Sequence, residues 1–540
     1  MTVASSITTA PARNKTLTMK KTKIISGFVA ALMLVPAASL TLSGCKKAAP
    51  SVKTETTVLE QETQTADPAP NVVYEIPTVV PRTLVDQNGY RTGAEKSVVF
   101  RGEDLPEVFY VFNMDTNELE YTGQIRDNAT DSESGEPTGI GYFTDLTTDG
   151  NYYIYTDALG SSYSFNIKND LYDNMFNEAC RTYYLNRCGM NLSEGLAGEK
   201  AHAACHTKEA HLQEDASKTL DVTGGWHLNS QADRDAVQGC KIAQNLLLSY
   251  EMNPESIGDD SGIPESGNGI PDLLDEIKYE IDWLIKMQDE RTGGVYGAAL
   301  TVRDGSDLLE SDVEVTPITM EATIRFATLL ADFSYQYQSF DPEYATTCLK
   351  CADRAYSLFV NTEDISSSSL GFHAAAQLYR ATGASSYETV LTSFFGKSDF
   401  STLFNDDEDV FLGGVVYIST SQKVNLDTCS MIMKLLMKKA SKVANDARAS
   451  AYLVTDEKDH AKILDDMRTI TITDHIIYNY EYTTIIENHA HFLMGRNPED
   501  VNYVTDNTEH TFLDTDEGTG IMNQPLLNAK FIFMLSVIKE

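Results

Sequence analysis

Positive charge is what this chain of 540 residues has least of. Its 42 Lys and Arg stand against 79 Asp and Glu, a formal net charge of −37. Nucleic-acid binding rests on Lys and Arg neutralising phosphates, so that class of partner is excluded. A footprint on anionic lipid headgroups is excluded for the same reason. A neutral polymer such as a polysaccharide or oligosaccharide is not repelled, and the surplus of acid favours solubility outside the cell. The chain is globular in composition, 42% hydrophobic and 22% charged. It is too long for one ordinary core, so two or more domains are expected.

The N-terminal apolar run lacks continuity. It extends from Ile24 to Leu42 and is broken by Ser26, Gly27, Pro36 and Ser39. That speaks against a membrane-spanning anchor. Lys20, Lys21 and Lys23 precede it, and Leu42-Ser43-Gly44-Cys45 ends it. A basic start, an apolar centre and small residues before a cut are the pattern of a secretory signal. Here the cut falls before Cys45, the bacterial lipobox arrangement. Residues 1–44 are therefore expected to be a signal peptide with an upstream extension, since Met19 could open a signal by itself. Cys45 is expected to carry lipid and to hold the exported chain on the outer face of the bacterial cell membrane. Large apolar residues are then scarce through residues 45–71, a composition that cannot offset ordering entropy and predicts a flexible tether.

Residues 72–168 alternate in short runs, Ser97–Phe100, Val108–Phe112, Tyr152–Tyr155 and Tyr163–Ile167, with turns such as Asn88-Gly89 between them. This predicts a β-sandwich. Over residues 169–540 the pattern is helical. Leu273, Ile277, Ile281 and Leu284 make one apolar face, and Asp272, Asp275 and Glu276 suit its N-terminal dipole. Further helices are predicted over Pro317–Phe333, Tyr344–Phe359, Phe372–Ala381, Thr428–Val443 and Thr484–Met494, with no strand pattern between them. An all-α domain follows.

Cys188, Cys205, His206 and His227 offer two thiolates and two imidazoles, a set that suits a closed tetrahedral zinc site. Their spacing is not that of a zinc finger. Buried Cys and His, or a Cys188–Cys205 disulfide in an exported protein, fit the sequence equally well. Cys348-Leu349-Lys350-Cys351 is formally a C-x-x-C, but it lies inside a helical run and reads as core packing.

Three segments carry a resemblance. They are Asp221-Val222-Thr223-Gly224-Gly225-Trp226-His227, then Ile263–Glu276 with its Gly269-Ile270-Pro271-Asp272 centre, then Gly495-Arg496-Asn497-Pro498 followed by Asn502-Tyr503-Val504-Thr505. In this order they resemble glycoside hydrolases of family 9, the inverting cellulases, in the subgroup with an N-terminal immunoglobulin-like domain. The resemblance implies an immunoglobulin-like β-sandwich followed by an (α/α)₆ barrel. It implies a structural zinc on Cys188, Cys205, His206 and His227. It also raises a calcium site, for which Glu265, Asn268, Asp272 and Glu276 offer oxygen ligands.

An inverting glycosidase needs one carboxylic acid for the leaving oxygen and a second carboxylate to activate water. The family places the water-activating pair in Asp-Ala-Gly-Asp directly after this Gly-Gly-Trp motif. Here the ungapped match reads Leu228-Asn229-Ser230-Gln231, so Leu228 and Gln231 occupy both carboxylate positions. Asp233 and Asp235, two and four residues beyond, should point elsewhere. By resemblance Glu517 is the candidate general acid, ahead of Asn523-Gln524-Pro525-Leu526. The interval from Glu499 to Asp516 lacks the family's Pro-His-His-Arg segment and holds only His510. Two readings follow. In the first, a lipoprotein engages a β-1,4-glucan-like polysaccharide but is catalytically impaired or inactive. In the second, an active cellulase or related glycosidase uses Glu517 as acid and another carboxylate as base.

Overall fold

The computed structural model describes residues 70–505 and 520–539. The signal segment, Cys45, most of the tether, His510 and Glu517 lie outside the described residues. No described helix is long and apolar enough to cross a membrane.

Eight strands build the N-terminal sandwich: β1 Thr83–Leu84, β2 Ser97–Arg101, β3 Val108–Asn113, β4 Leu119–Thr130, β5 Pro137–Tyr142, β6 Gly150–Thr156, β7 Gly160–Ser161 and β8 Phe165–Ile167. Their order is β1-β2-β5-β4-β3-β6-β7, with β8 also on β6. The long β4 joins the two layers, because its first half pairs with β3 and its second half with β5. Inward residues fill the space between, among them Val98, Phe100, Phe109, Val111, Ile154 and Phe165, all nearly inaccessible. This is the alternation read from the sequence.

Twelve main helices follow: α1 Leu171–Leu185, α2 Ala236–Met252, α3 Asp272–Lys286, α4 Met320–Tyr337, α5 Pro342–Thr362, α6 Ser369–Thr382, α7 Ser385–Phe395, α8 Glu408–Ser419, α9 Leu426–Ala449, α10 His460–Ile476, α11 Tyr480–Leu493 and α12 Pro525–Leu535. The even-numbered helices form an inner ring and the odd-numbered ones wrap it, an (α/α)₆ barrel. The inner ring packs from α10 through α12, α2, α4 and α6 to α8; between α8 and α10 the join runs chiefly through α9 and an ion pair. Inner helices are apolar nearly all round, as burial on every side requires; Val410–Tyr417 of α8 and Asn528–Leu535 of α12 are buried without a break.

Some boundaries differ from the predicted ones. The α4 helix starts at Met320 and not near Pro317, because Ile318–Thr319 pairs with Val295–Tyr296 and the Thr319 side chain then caps the helix by accepting from Ala322 N–H. The barrel domain also carries short strands that helical periodicity hid. Ala210–Leu212, Asp215–Leu220, Arg234–Asp235, Ala298–Thr301 and Val313–Val315 form a five-stranded sheet over the loops that begin the barrel. Cys348 and Cys351 lie buried along α5 as unbridged thiols, consistent with packing.

The two domains share a buried polar seam. Arg496 is inaccessible, and its guanidinium donates to the Ser97 hydroxyl, to Asn488 Oδ1 at 2.7 Å and to the Tyr452 carbonyl at 3.2 Å. His491 Nδ1 lies 2.7 Å from Asp86 Oδ2. The Gly-Arg-Asn-Pro segment therefore locks sandwich to barrel.

Candidate functional site

The loop from Arg187 to His227 draws four ligands together. Arg187 bridges to Trp226, Cys188 N–H donates to the Gly225 carbonyl at 2.8 Å, and His227 N–H donates to the Asn186 carbonyl at 2.8 Å. Gly225 has φ +77, and a Cβ there would come within 2.7 Å of the Trp283 ring, so the Gly-Gly pair is required to bring the backbone this close. Cys188, Cys205, His206 and His227 are all buried, with one ligand atom from each inside a 4.8 Å group. Cys188 Sγ and Cys205 Sγ are 3.8 Å apart and not bonded. Cys188 Sγ lies 3.4 Å from His206 Nδ1, and Cys205 Sγ lies 3.8 Å from His227 Nε2. Metal–sulfur bonds of about 2.3 Å and metal–nitrogen bonds of about 2.0 Å in a tetrahedron put sulfurs about 3.8 Å apart and sulfur from nitrogen about 3.6 Å. The donor set fits that geometry. The Leu308 carbonyl, 2.8 Å from His206 Nε2, takes that nitrogen's proton and leaves Nδ1 its lone pair for a metal.

The oxygen donors considered for calcium do not converge in this way. Arg187 engages both Glu265, at 3.0 Å, and Glu276, at 3.0 Å. Asp272 Oδ2 accepts from Ser261 N–H and from the Ser261 and Ser266 hydroxyls, while Asn268 donates to Asp275. Among the described residues the Cys/His group is the one cluster of His, Cys, Asp and Glu that could hold a metal. The calcium expectation is corrected: Glu265 and Glu276 neutralise a buried arginine, and Asp272 closes a turn. Glu276 also accepts from Trp226 Nε1 at 2.7 Å, tying the metal loop to α3.

Directly after His227 the chain turns through Leu228–Asp235. Leu228 N–H donates to the Asp233 carbonyl at 2.9 Å, and Asn229 Oδ1 accepts from the Gln231 and Asp233 N–H groups. Leu228 packs part-buried against the barrel core. Asp233 is nearly inaccessible and is spoken for by Thr301 N–H at 2.9 Å, Asn229 at 3.2 Å and Arg303 at 3.4 Å. Asp235 caps α2, accepting from Gln238 N–H at 2.8 Å. Neither aspartate stands in for the replaced pair.

A cavity of about 180 Å³ opens among the N-terminal halves of the inner helices, lined by Lys241, Arg325, Glu408, Asp409, Leu412 and Lys530. Charges brace it. Arg468 pairs with Glu408 at 2.5 Å and with Asp465 at 3.2 Å, and reaches Asn245 at 3.4 Å. Lys530 pairs with Asp465 at 2.7 Å; Asp409 meets His373 at 3.0 Å and Arg325 at 3.4 Å. Through the neighbours Glu408 and Asp409, this network touches all six inner helices. Burial alone would raise the Glu408 carboxyl, but Arg468 and Lys530 outweigh it and hold it below the usual range. Burial likewise opposes ionisation of Asp409, and His373 and Arg325 reverse the balance. Both are carboxylates at neutral pH.

Sequence reasoning missed this ring. Asp407-Glu408-Asp409 reads as an ordinary acidic helix start. The signal that could have found it is basic: Arg325, Arg468 and Lys530 interrupt helices otherwise apolar all round, where a charge needs a partner.

The family model for glycosyl hydrolase family 9 matches residues 172–515, and that for the cellulase N-terminal ig-like domain matches residues 79–161. A cellodextrinase of Butyrivibrio fibrisolvens is 27% identical over 481 residues, 80% of this chain and 86% of that protein. Endoglucanase D of Acetivibrio thermocellus is 29% identical over 266 residues, 47% of this chain and 42% of its own length. A xyloglucan-specific endo-beta-1,4-glucanase of Bacteroides ovatus is 26% identical over 302 residues, 52% of this chain and 50% of that enzyme. Among solved structures, a thermostable endoglucanase from Alicyclobacillus acidocaldarius superposes with TM-score 0.72 at 20% identity, covering 86% of this chain and all of that one. A Zn-binding triple mutant of a family 9 endoglucanase gives TM-score 0.72 at 22% identity over 83% of this chain and 99% of its own. These structures establish a shared fold. With the family model spanning well over half the residues and the sandwich matched ahead of it, this chain belongs to glycosyl hydrolase family 9.

Proposed function

We propose that the chain is a surface-tethered family 9 protein that holds a β-1,4-glucan-like polysaccharide at the mouth of its barrel and hydrolyses it poorly or not at all. The observation that carries this reading is the loop after His227. Leu228 and Gln231 stand at the two carboxylate positions, and Asp233 and Asp235 are committed to the backbone. General-base help is worth about 10²–10⁴-fold in rate, so a barrel without it keeps at best a small remnant of hydrolysis. The named activities of the cellodextrinase and endoglucanase relatives support the glucan class. The Cys/His cluster is proposed to hold zinc in a closed, purely structural site. In it Cys188, Cys205, His206 and His227 fix the loop that carries Trp226 and take no part in chemistry. Cys45 is proposed to carry the lipid, the chain's one link to the membrane.

A second reading has one observation in its favour. Glu408 is ionised, and its side chain is 46% exposed beside the cavity. It is the carboxylate best placed to replace the missing base in an active enzyme with Glu517 as acid. One experiment separates the two. Purified protein is incubated with plant-wall glycans, and mass spectrometry scores products while a separate assay scores binding. Binding without product supports the first reading. Strong hydrolysis abolished by Glu408→Gln and by Glu517→Ala supports the second and overturns the first. For the tether, Cys45→Ser is expected to release the protein from the membrane fraction; unchanged retention would refute it.

A further inference from the structure

Among the described residues three aromatic side chains stand exposed: Tyr142 at 37%, Tyr480 at 53% and Tyr478 at 75%. They belong to one place, on the seam between sandwich and barrel and away from the barrel mouth. Tyr142 ends β5, Tyr480 opens α11, and Tyr478 lies two residues before it. Glu95 acts electrostatically on the phenols of both Tyr142 and Tyr480. Tyr142 and Tyr480 line a cavity of about 270 Å³ whose floor includes Ile485 and Asn488 and whose rim includes Glu95 and Arg448. That is close to the lower end of small-molecule sites, about 300 Å³.

The polar groups of this groove are rigid and partly unused. Asn488 is 7% exposed, and its Oδ1 is taken by the Ser97 hydroxyl at 3.0 Å and by Arg496 at 2.7 Å. Its amide NH₂ makes no bond among the described residues and remains a donor held in place. Glu95 makes no hydrogen bond or ion pair among the described residues and remains an acceptor. Arg448, by contrast, is neutralised by Glu481.

We propose that this groove is a second glycan-binding surface, which takes a segment of neutral β-linked glucan on Tyr142 and Tyr480. A pyranose ring offers apolar C–H faces and a rim of hydroxyls. Tyrosine offers an apolar ring with a polar tip, and the spare donor and spare acceptor match hydroxyls, which both accept and donate. Charge selects among glycans. With Arg448 paired, Glu95 leaves the groove negative on a chain of net charge −37, so an anionic polymer is disfavoured. The surface is independent of the barrel mouth, and a chain long enough to reach both would be held by two contacts in place of one.

The test is affinity electrophoresis of the full folded protein in gels containing neutral hydroxyethylcellulose or anionic carboxymethylcellulose. It compares wild type, Tyr142→Ala/Tyr480→Ala, Tyr142→Phe/Tyr480→Phe and a mouth-blocking Leu412→Trp. The alanine pair is expected to weaken neutral-polymer binding about tenfold, equivalent to about 1.4 kcal/mol of ring contact. The phenylalanine pair should retain most of it, and carboxymethylcellulose should bind weakly in every case. Wild-type affinity in the alanine pair, with the melting curve unchanged, overturns the proposal, as does a preference for the anionic polymer. If Leu412→Trp leaves binding intact while the alanine pair abolishes it, the barrel-mouth reading fails and the seam stands. The reverse pattern sinks the seam and leaves the mouth.

Discussion

Withdrawal of metal from the Cys/His cluster should loosen the barrel's entry before it touches the sandwich. Cys188, Cys205, His206 and His227 cross-link three stretches of a forty-residue loop, and the same loop carries Trp226, fully buried and bonded to Glu276 and Glu280. A ligand that binds only the folded state at 1,000 times its dissociation constant contributes about 4 kcal/mol. Unfolding entropy of about 2.1 cal/mol/K per residue gives a barrel of some 370 residues about 0.8 kcal/mol/K. Chelation should therefore lower the melting temperature by about 5 °C, with recovery on adding zinc back. Metal analysis should return about one zinc per chain, and Cys205→Ala should mimic chelation and no longer respond to zinc. A protein purified without metal that melts unchanged in strong chelator, with all four ligands intact, would refute the assignment.

Three further outcomes follow from particular residues. His489 is fully buried, its Nε2 accepting from Thr455 N–H while Nδ1–H donates to the Ile485 carbonyl, and burial pushes its pKa down to about 4. The unfolded imidazole gains a proton near pH 6.5, so this group costs nothing above that pH; stability falls as pH drops from 6.5 toward 4, by roughly 3 kcal/mol. Urea midpoints should show that slope, and His489→Gln should flatten it; an identical slope in the variant would count against the reasoning. Arg496→Met leaves Ser97, Asn488 and the Tyr452 carbonyl short of a donor at the seam, a loss of roughly 3–5 kcal/mol. Calorimetry should then resolve separate sandwich and barrel transitions, and a single unshifted peak would contradict the locking role. Leu228→Asp with Gln231→Asp should raise hydrolysis of soluble β-glucan above a wild-type baseline near zero; strong wild-type turnover that neither substitution changes would remove the impaired reading.

The sequence announced the architecture because its signals are local. Alternation along β2, β3, β6 and β8 and an apolar stripe on α3 each need only a handful of residues. The four metal ligands were named through a resemblance, since segments from 188 to 227 come together only by way of Gly224, Gly225 and the Arg187–Trp226 bridge. The calcium expectation failed for a related reason. Glu265 and Glu276 look like hard ligands until Arg187, 78 and 89 residues earlier, is found between them. The charged ring at the barrel mouth was illegible because its pairs join helices as far apart as Asn245 and Arg468. Glu517 and Cys45 lie outside the described residues, so their roles rest on sequence.

The loop after His227 shows why the metal motif and the catalytic pair can separate. Gly224, Gly225, Trp226 and His227 are held by packing: the glycines admit Trp283, Trp226 binds α3, and His227 belongs to the Cys/His cluster. Nothing structural requires carboxylates at 228 and 231. Leu228 rests part-buried on the core, where an ionised side chain would lose apolar contact and face the nearly inaccessible Asp233 carboxylate. Burial of a leucine side chain contributes up to about 1.5–3 kcal/mol, and a part-buried one less. A leucine at 228 therefore stabilises the turn that an aspartate would strain. Residues arranged for chemistry often cost stability, and replacing them commonly returns it. The restored Asp pair should accordingly melt below wild type even as it gains hydrolysis. A restored pair that gained activity with no loss of stability would mean that the leucine is not what the turn is built on.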